Sequence, residues 1–480
     1  MAEHTVEKIG GTTMSRSNEL IDTLFRRGGD GADLYQRVFV VSAYGGITDL
    51  LLENKKSGEP GVYAQFAAED NSMGWSDALN GVATSMCEAH GRLLEDAGDR
   101  RAADEFVRER IEGARSFLID LQRLCSYGHF RLDQHMMTIR ELLSGLGEAH
   151  SAHATVLLLA RHGINARLMD LTGWRDESQP SLATRLDDAF ADVDFAREMP
   201  IVTGYAQCRE GLMSEYDRGY SEVTFAHLAA RTAAREAIIH KEFHLSSADP
   251  RLVGEDRVVK IGHTNYDMAD QLSNLGMEAI HPAAAKILRQ AEIPLRVANA
   301  FDPGDPGTLI DSDTSGPPRV EMVTGLPVIA LQVFEQDMVG VKGYDAAILK
   351  ALTRHDVWIV SKSSNANTIT HYVNGTLKAM QRVEKEILAT YPAAEIQIRK
   401  VALVSAVGSN LTGLQVPRRG LNALAEAGID PIAVQDTGRH VDAQFIVARE
   451  EMADAVKALH AALVEQEPGA AAQGGRHRVA

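Results

Sequence analysis

The sequence predicts an α/β fold with a mainly parallel sheet, followed by two smaller βαββα units in tandem. Through the first two-thirds of the chain, short β-branched apolar runs alternate with longer helical stretches. This alternation is typical of parallel strands connected by helices that cover both faces of a sheet. After residue 325 the spacing changes, and one series of strand and helix patterns is followed by a second, similar series. Two like units explain that repetition better than one irregular domain.

Four apolar runs predict the buried strands of the first part, namely RVFVVSA (37–43), ARLMDL (166–171), MPIVTGY (199–205) and EAIIHKEF (236–243). Three stretches with apolar residues at helical spacing predict helices, at 76–97, 105–125 and 151–163. Gly163 stands where the last of these helices should end, and a strand pattern follows it. Ligands of such sheets bind beyond the carboxyl ends of the strands, so the functional residues are expected at strand-to-loop junctions.

Composition and charge exclude several classes of protein. The 480 residues are 45% hydrophobic and 24% charged, as in globular proteins of roughly two to four domains. The formal net charge of −17 argues against a nucleic-acid or anionic-membrane partner. The three cysteines are far apart in sequence and suggest neither disulfides nor a zinc knuckle. With no basic and apolar leader pattern and no long apolar run, we expect a soluble, cytoplasmic protein.

The stretch 311–325 is rich in Ser, Thr, Gly and Pro and breaks the strand and helix pattern. It suggests a boundary between domains. The predicted organisation is an α/β domain at 1–312, a linker at 313–325, small units at 326–398 and 399–466, and a frayed tail at 467–480.

The first candidate site is the turn VEKIGGTT, in which Lys8 precedes Gly10, Gly11 and Thr12. Adjacent glycines let backbone N–H groups approach a phosphate, and a lysine supplies a positive charge for it. The turn is not a P-loop, because the lysine precedes the glycines. An ordinary strand-to-helix turn explains the same residues equally well.

A second glycine turn follows the next strand, where Ser42 is succeeded by Gly45, Gly46 and Thr48. One such turn is common in parallel sheets. Two of them, each flanked by hydroxyl side chains, favour a cradle for phosphate or carboxylate groups.

Three charged residues stand beside predicted helix starts, and the two acidic ones have a structural alternative. Arg218 lies at a glycine turn, where its guanidinium could bind a carboxylate through two hydrogen bonds. Glu222 and Glu148 are both placed at the start of a helix, where an acid also serves as a cap or favourable first-turn charge.

The histidines and cysteines are not predicted to bind metal. His240 and His244 would lie too far apart along a strand to share an ion. His150 and His153 are expected to pack or face solvent, and the cysteines have no recognisable catalytic partners.

Taken together, these residues resemble the aspartokinase family of the amino acid kinase superfamily. The motifs that carry the resemblance occur in the family's order over nearly the whole chain: VEKIGGTT (6–13), VVSAYGGITDLLL (40–52), LLSGLGEAHSA (142–152), SSADPRLV (246–253) and the closing segment 272–310 with its HP, IP, VAN and PGTLI elements. The resemblance implies a three-layer α/β/α amino acid kinase domain followed by two tandem ACT-like βαββαβ units.

Two segments depart from the family pattern. DRGYSE (217–222) has Tyr220 in place of a glycine and Glu222 in place of an aspartate. HKEFHLS (240–246) has Lys241 where an acid is usual and Ser246 where an aromatic residue is usual. The combination resembles the branch of the family associated with ectoine biosynthesis.

The resemblance implies transfer of the ATP γ-phosphoryl group to the β-carboxylate of L-aspartate, with Mg²⁺ bridging the ATP phosphates. Lys8, assisted by Gly10, Gly11 and Thr12, would stabilise the transferred group. Arg218 would bind the substrate α-carboxylate, while Glu148 and Glu222 meet its ammonium group or orient the site. The remaining implied contacts are Ser42 and Thr48 with the β-carboxylate, and Lys241, Ser246, Asp249 and Arg251 with the nucleotide.

The ACT-like units imply a homodimer or higher homo-oligomer and make an amino-acid effector a candidate partner. The family's usual effector-side segment is changed here to QDTGRHVDAQF (435–445), which predicts weak or altered feedback by lysine or threonine. Two alternatives stay open, namely another amino acid kinase, such as a glutamate kinase, and a non-catalytic amino-acid sensor of the same fold.

Overall fold

The computed structural model describes residues 3–26, 34–55, 57–68, 74–216, 219–277 and 279–465. The chain divides into two compact units. Unit 1 comprises Met1–His244 and Ile280–Ser312, and unit 2 comprises Leu245–Ala279 and Asp313–Ala480. The segment 245–279 therefore groups with the C-terminal part of the chain, whereas the predicted boundaries assign it to the first domain. The predicted tail at 467–480 lies outside the described residues.

Unit 1 is built on a mainly parallel sheet. Its strands are β1 (Thr5–Ile9), β2 (Arg37–Val41), β3 (Ala166–Met169), β4 (Met199–Thr203), β5 (Glu236–Lys241), β7 (Leu295–Asn299) and β8 (Thr308–Asp311), with β6 (His263–Asn265) assigned to unit 2. In unit 1 the strands lie in the order β3-β4-β2-β1-β5-β7-β8, and only β8 runs antiparallel to its neighbour β7. Every residue of β1, β2 and β4 is buried, which explains why β2 and β4 appear as largely apolar runs in the sequence.

Helices pack on both faces of this sheet. They are α1 (Gly11–Met14), α2 (Ser17–Leu20), α3 (Ile47–Leu51), α4 (Val62–Ala67), α5 (Gly74–Leu93), α6 (Ala97–Cys125), α7 (Met136–Arg161), α8 (Leu182–Phe190), α9 (Leu212–Tyr216), α10 (Tyr220–Arg231) and α13 (Pro282–Gln290). On one face, Lys8 of β1 contacts Glu222 of α10. On the other, Phe39 of β2 packs against Phe25 in the helical turn that follows α2.

Helix α7 corrects one prediction. Glu148 was expected at the start of a helix but lies in the middle of α7, which begins at Met136. The sequence misleads here because Gly145 and Gly147 look like helix breakers. Both lie in close packing, since a Cβ on Gly145 would lie 3.2 Å from Tyr205 and one on Gly147 would lie 2.9 Å from Ala43. Tertiary packing therefore outweighs the poor helix propensity of glycine.

A buried ion pair connects the central strand to its neighbours. The Glu7 carboxylate accepts two hydrogen bonds from Arg37, at 2.7 and 2.9 Å, and lies 2.7 Å from His240 Nε2. Thr5 donates a further hydrogen bond to Glu7 at 2.8 Å. Burial alone would raise the pKa of Glu7, but the charges and hydrogen bonds of Arg37 and His240 hold that pKa well below its usual range. Strands β1, β2 and β5 are thus joined by side chains as well as by backbone.

Unit 2 begins with α11 (Pro250–Val253), β6 and α12 (Tyr266–Asn274) and continues through an antiparallel sheet and the helices packed on it. The remaining elements are β9 (Met322–Phe334), α14 (Tyr344–Arg354), β10 (Trp358–Ser364), β11 (Thr368–Asn374), α15 (Leu377–Thr390), β12 (Glu395–Val407), α16 (Val416–Glu426), β13 (Ala433–Asp436), β14 (Asp442–Ala448) and α17 (Met452–His460). The sheet order is β10-β11-β9-β12-β14-β13.

The two βαββα units share their longest strands. Strands β9 and β12 pair along their full 13 residues. β11 pairs only with the second half of β9, and β14 only with the second half of β12. Residues 322–325, predicted as linker, form the start of β9, because Met322 and Val323 are fully buried beside Val407 and Ala406. Each unit therefore completes its sheet with half of a strand that begins or ends in the other.

The predicted fold class is confirmed, since helices flank a mainly parallel sheet in unit 1 and tandem βαββα units form unit 2. Within the described ranges, none of the helices has both the length and the hydropathy that a bilayer span requires.

We expect Arg37→Ala to lower the free energy of unfolding by about 3–5 kcal/mol, because it leaves the buried Glu7 charge without its main partner. Urea denaturation followed by tryptophan fluorescence measures this, since Trp75 and Trp174 lie in unit 1. The matched control is Arg123→Ala, which removes an exposed ion pair with Asp120 and should cost less than about 1 kcal/mol. A similar loss in both variants would contradict a structural role for the buried pair.

Candidate active site

The carboxyl ends of three neighbouring strands meet at one edge of the unit 1 sheet. In the parallel register, Ile9 at the end of β1 lies between Val41 of β2 and His240 of β5. The residues that follow these positions are the two predicted glycine turns and Lys241. The topology therefore brings three of the segments singled out in the sequence to one place, as expected for a ligand site of a parallel sheet.

The two glycine turns are held together by backbone contacts. The Gly45 N–H lies 3.1 Å from the Gly11 carbonyl oxygen and 2.9 Å from Ser15 Oγ, and it donates to both. A Cβ on Gly11 would lie 2.5 Å from the Ala43 carbonyl oxygen, so a larger residue cannot be accommodated without displacing the backbone. Gly46 adopts φ +86°, a conformation that favours glycine. The turns thus form one rigid border of the site.

Glu222 lies between two lysines at this border. Its Oε1 is 3.3 Å from Lys8 Nζ and 3.9 Å from Lys241 Nζ. Its Oε2 accepts a hydrogen bond from the backbone N–H of His281, just before α13. The three side chains come from β1, β5 and α10, so the cluster depends on the tertiary fold.

The charge state of this cluster follows from its surroundings. Burial would raise the pKa of Glu222, but the positive charges of Lys8 and Lys241 and the His281 N–H outweigh it and lower that pKa. Glu222 is therefore an anion at neutral pH. One carboxylate shared by two ammonium groups leaves a net positive charge, which suits a polyphosphate.

Glu148 provides a second carboxylate of different character. Its Oε1 accepts a hydrogen bond from Ser221 Oγ at 2.8 Å, and its Oε2 is buried without a hydrogen-bond partner among the residues that the structure describes. Burial raises its pKa from the ordinary value of 4.5 to about 7, although Ser221, the Tyr205 backbone, the charge of Lys8 and the Tyr220 side chain oppose the shift. A buried carboxylate with an unused oxygen can accept a cationic group of a ligand.

Gly204, directly after β4, permits this arrangement. A Cβ at that position would lie 2.6 Å from Glu148 Oε2 and 2.8 Å from Ser221 Oγ. The backbone at the end of β4 thus comes close to both side chains, and only glycine leaves room for them.

The structure brings together many of the predicted site residues. Glu222 contacts both Lys8 and Lys241, and Gly10 and Gly11 follow Lys8 after one intervening residue. Ser42 donates its N–H to the Ile9 carbonyl oxygen at 3.1 Å, so the second turn lies beside the first.

The other predicted residues are placed differently. Thr12 is exposed in α1 and Thr48 lies in the first turn of α3. Ser246, Asp249 and Arg251 belong to unit 2, where Asp249 and Arg251 pair at 2.8 Å, and their proposed nucleotide contacts stay predictions. Arg218 lies outside the described residues, so its role also stays a prediction.

Three residues that contribute to the site were not predicted to do so. Ser221 holds Glu148, the His281 backbone holds Glu222, and Glu242 accepts a hydrogen bond from Thr13 at 2.6 Å. Ser221 and His281 both lie in segments that resemble family motifs, and this location could have indicated that they contribute to the site. Residues that support another side chain leave no pattern of their own, because their partners are distant in sequence.

Comparison with known proteins agrees with this geometry. The amino acid kinase family model matches residues 3–299. Aspartate kinase Ask_Ect of Stutzerimonas stutzeri (strain A1501) is 52% identical over 466 residues, which is 97% of this chain and 98% of that relative. The chain belongs to the aspartokinase family. The predicted family resemblance is confirmed.

Solved structures of other aspartokinases share the fold of this family member. Escherichia coli aspartokinase III in complex with aspartate and ADP superposes with a TM-score of 0.69 at 20% identity, covering 96% of this chain and 100% of that one. Clostridium acetobutylicum aspartate kinase gives a TM-score of 0.71 at 18% identity with the same coverage. At this identity the likeness supports the fold alone.

The raised pKa of Glu148 predicts a pH-dependent stability. As pH rises, the unfolded glutamate ionises near 4.5, whereas the folded one stays protonated to about 7. The protonated carboxyl group therefore makes its full contribution to the free energy of unfolding below the pKa of the unfolded state. That contribution, roughly 3 kcal/mol, is lost as pH rises through the pKa of the folded state. Between about pH 4 and pH 8, the free energy of unfolding of the wild type should fall by this amount relative to that of Glu148→Gln.

Urea titrations across that pH range measure the difference. Glu105→Gln, which alters an exposed glutamate of α6, is the matched control and should follow wild type. Parallel curves for wild type and Glu148→Gln would contradict the proposed state of Glu148.

Proposed function

We propose that this family member transfers the γ-phosphoryl group of ATP to the β-carboxylate of L-aspartate, giving 4-phospho-L-aspartate and ADP. The observation that carries the proposal is the Lys8–Glu222–Lys241 cluster at the glycine border of the sheet. Near-complete coverage of a relative named aspartate kinase, at 52% identity, supports the choice of acceptor.

The reaction needs positioning and charge neutralisation more than proton transfer. The β-carboxylate, with a reference pKa near 3.9, is already an anion at neutral pH. One of its oxygens attacks the γ-phosphorus, the bond from that phosphorus to the bridging oxygen breaks, and the electron pair stays on the β-phosphate of ADP. Because both reactants are anions, the protein must supply positive charge where they meet.

Lys8 is the residue that we assign to the transferred group. Its Nζ lies 3.8 Å from where a Gly10 side chain would begin, so the ammonium group extends over the first glycine turn. The backbone N–H groups of Gly10 and Gly11 and the hydroxyl of exposed Thr12 are available as further donors to phosphate oxygens.

Glu222 acts on the lysines and not directly on the substrate. It contacts both ammonium groups and is fixed from behind by the His281 N–H. Its charge keeps Lys8 and Lys241 close together before ATP binds, which offsets their mutual repulsion. Of the two roles implied by the family resemblance, the geometry favours orientation of the site for Glu222.

Glu148 is assigned to the ammonium group of aspartate, because its free carboxylate oxygen needs a donor. Ser42 and Thr48 on the second turn would contact the β-carboxylate, and Arg218 would bind the α-carboxylate. This divides the border into a phosphate end near Lys8 and an amino-acid end near Glu148.

Mg²⁺ enters the proposal as part of the substrate MgATP. The net positive charge of the lysine cluster fits a polyphosphate, and no protein ligand to the metal is assigned. When bound, the ion would neutralise charge on the phosphates.

The tandem units of unit 2 suggest a homo-oligomer with a regulatory ligand. Escherichia coli aspartokinase III has been solved in complex with lysine and aspartate. Here Asp442 is buried and accepts hydrogen bonds from Gln444 at 2.7 Å and Thr437 at 3.2 Å, so this added charge is already satisfied internally. We propose altered feedback by lysine or threonine, and a product used in ectoine or amino-acid synthesis.

A coupled assay of ADP release tests the proposal directly. Release should depend on L-aspartate and should not occur at a comparable rate with L-glutamate or without an acceptor. A preference for glutamate would indicate another amino acid kinase. No release with any acceptor would indicate a non-catalytic sensor.

Lys8→Met should lower kcat by about 10²–10³-fold at saturating ATP, because the lost charge acts mainly in the transition state. Lys286→Met changes an exposed lysine of α13 and serves as the matched control, with activity near wild type. Near-normal turnover in the Lys8 variant would remove this residue from the mechanism.

The pKa of Glu148 also predicts how aspartate use depends on pH. Below about 7 the carboxyl group is protonated and cannot neutralise an ammonium group. kcat/KM for aspartate should then fall about tenfold per pH unit as pH decreases, as expected for one proton. Glu148→Gln should lack this limb, and an unchanged wild-type value between about pH 5.5 and 8 would contradict the assignment.

A further inference from the structure

Helices α5, α6 and α7 of unit 1 bring together a group of side chains that the proposed reaction does not use. Cys87 and His90 lie one helical turn apart on α5, and Asp104 faces them from α6. One ligand atom from each lies within 4.8 Å of the others. His90 is buried, whereas Cys87 is partly accessible, so a path from solvent exists.

These atoms would need only small movements to reach the spacing of a metal site. In tetrahedral zinc sites, bonds of about 2.0–2.3 Å put neighbouring ligand atoms about 3.3–3.8 Å apart. His90 Nδ1 and Asp104 Oδ1 are 2.7 Å apart and share a proton at present. With a metal ion on Nδ1, the one proton of the neutral His90 ring would lie on Nε2 instead, and small side-chain rotations would open this pair and bring in the sulfur.

His150 of α7 fixes the orientation that a metal ligand would require. Its Nε2 lies 2.9 Å from His90 Nε2, so one ring must donate to the other. If His90 uses Nδ1 for a metal, its proton lies on Nε2 and points at His150. A ligand imidazole whose second nitrogen donates a hydrogen bond is the usual arrangement around zinc.

We propose that Cys87, His90 and Asp104 bind one zinc ion, with water as the fourth ligand and His150 as the hydrogen-bond partner of His90. Thiolate, imidazole and carboxylate together are a ligand set that favours zinc over magnesium or calcium. The charges of the thiolate, the carboxylate and Zn²⁺ sum to zero, which limits the cost of burying the ion. Arg108 Nη2 lies 3.6 Å from Asp104 Oδ2, and this arginine is largely exposed, so water screens its charge.

Binding releases one proton. The Cys87 thiol loses its hydrogen to water as the sulfur–zinc bond forms.

The ion would join α5 to α6 directly and to α7 through the His90–His150 hydrogen bond. His150 also packs edge-on against Tyr44, with ring centroids 5.2 Å apart, in the segment between Ser42 and Gly45. The site is thus a structural one that supports the helices behind the candidate active site. The inference does not depend on which reaction the protein catalyses.

Cobalt substitution tests the proposal on the full chain. After dialysis against EDTA, Co²⁺ titration should produce a near-ultraviolet thiolate-to-cobalt charge-transfer band that saturates at one equivalent and disappears when Zn²⁺ is added. Cys87→Ser should abolish the band, while Cys125→Ser, which changes the partly buried cysteine at the end of α6, should keep it. Absence of the band in wild type, or its persistence in Cys87→Ser, would overturn the proposal.

Two further variants separate metal binding from a general packing role. His150→Gln should retain the band but weaken Co²⁺ binding about 10–100-fold, the usual effect of losing a hydrogen-bond partner of a ligand. Asp104→Asn leaves the thiol intact and should also weaken binding. Wild-type Co²⁺ affinity in Asp104→Asn would show that the cluster is only a polar contact between helices, even if Cys87→Ser proves unstable.

Discussion

The ion pair between Glu7 and Arg37 fixes the central strand on which the candidate site is built. Successive residues of a strand point to opposite faces, so Glu7 anchors β1 on one side and Lys8 reaches the site on the other. Any slip in register would expose the buried charges and remove Lys8 from Glu222 together. His240 reinforces the same constraint from β5. Structural stability and placement of the Lys8 charge at the candidate site therefore depend on adjacent residues of one short strand.

The sequence predicted the parallel sheet well and the helices less exactly. Strands buried on both faces appear as uninterrupted apolar runs, and β2, β3, β4 and β5 all lie within their predicted ranges. Helix α7 begins well before its predicted start, because the glycines that suggested a break serve close packing instead. The start of β9 was predicted as linker, because its composition does not reveal that it pairs with β12. Local propensity cannot reveal a contact with a distant strand.

The candidate site was predictable where its residues lie in contiguous motifs. Lys8, Gly10, Gly11 and Glu222 were identified this way. That Glu222 is shared by Lys8 and Lys241 could not be predicted, because it depends on three elements meeting in space. The group formed by Cys87, His90 and Asp104 shows the same limit, since its third member comes from another helix. The candidate site also lowers stability at Glu148, because burial opposes ionisation of its carboxylate. A core that served stability alone would carry a neutral residue at this position.

The shared strands of unit 2 bear on how this region folds and evolves. Because β9 and β12 each contribute to both βαββα units, neither unit can complete its sheet alone. The pair should therefore unfold as one cooperative block, and a ligand that orders one half would also stabilise the other. For the same reason, recombination that exchanged a single unit would leave two broken sheets. Gene duplication and transfer can be expected to keep the pair intact as one inherited module.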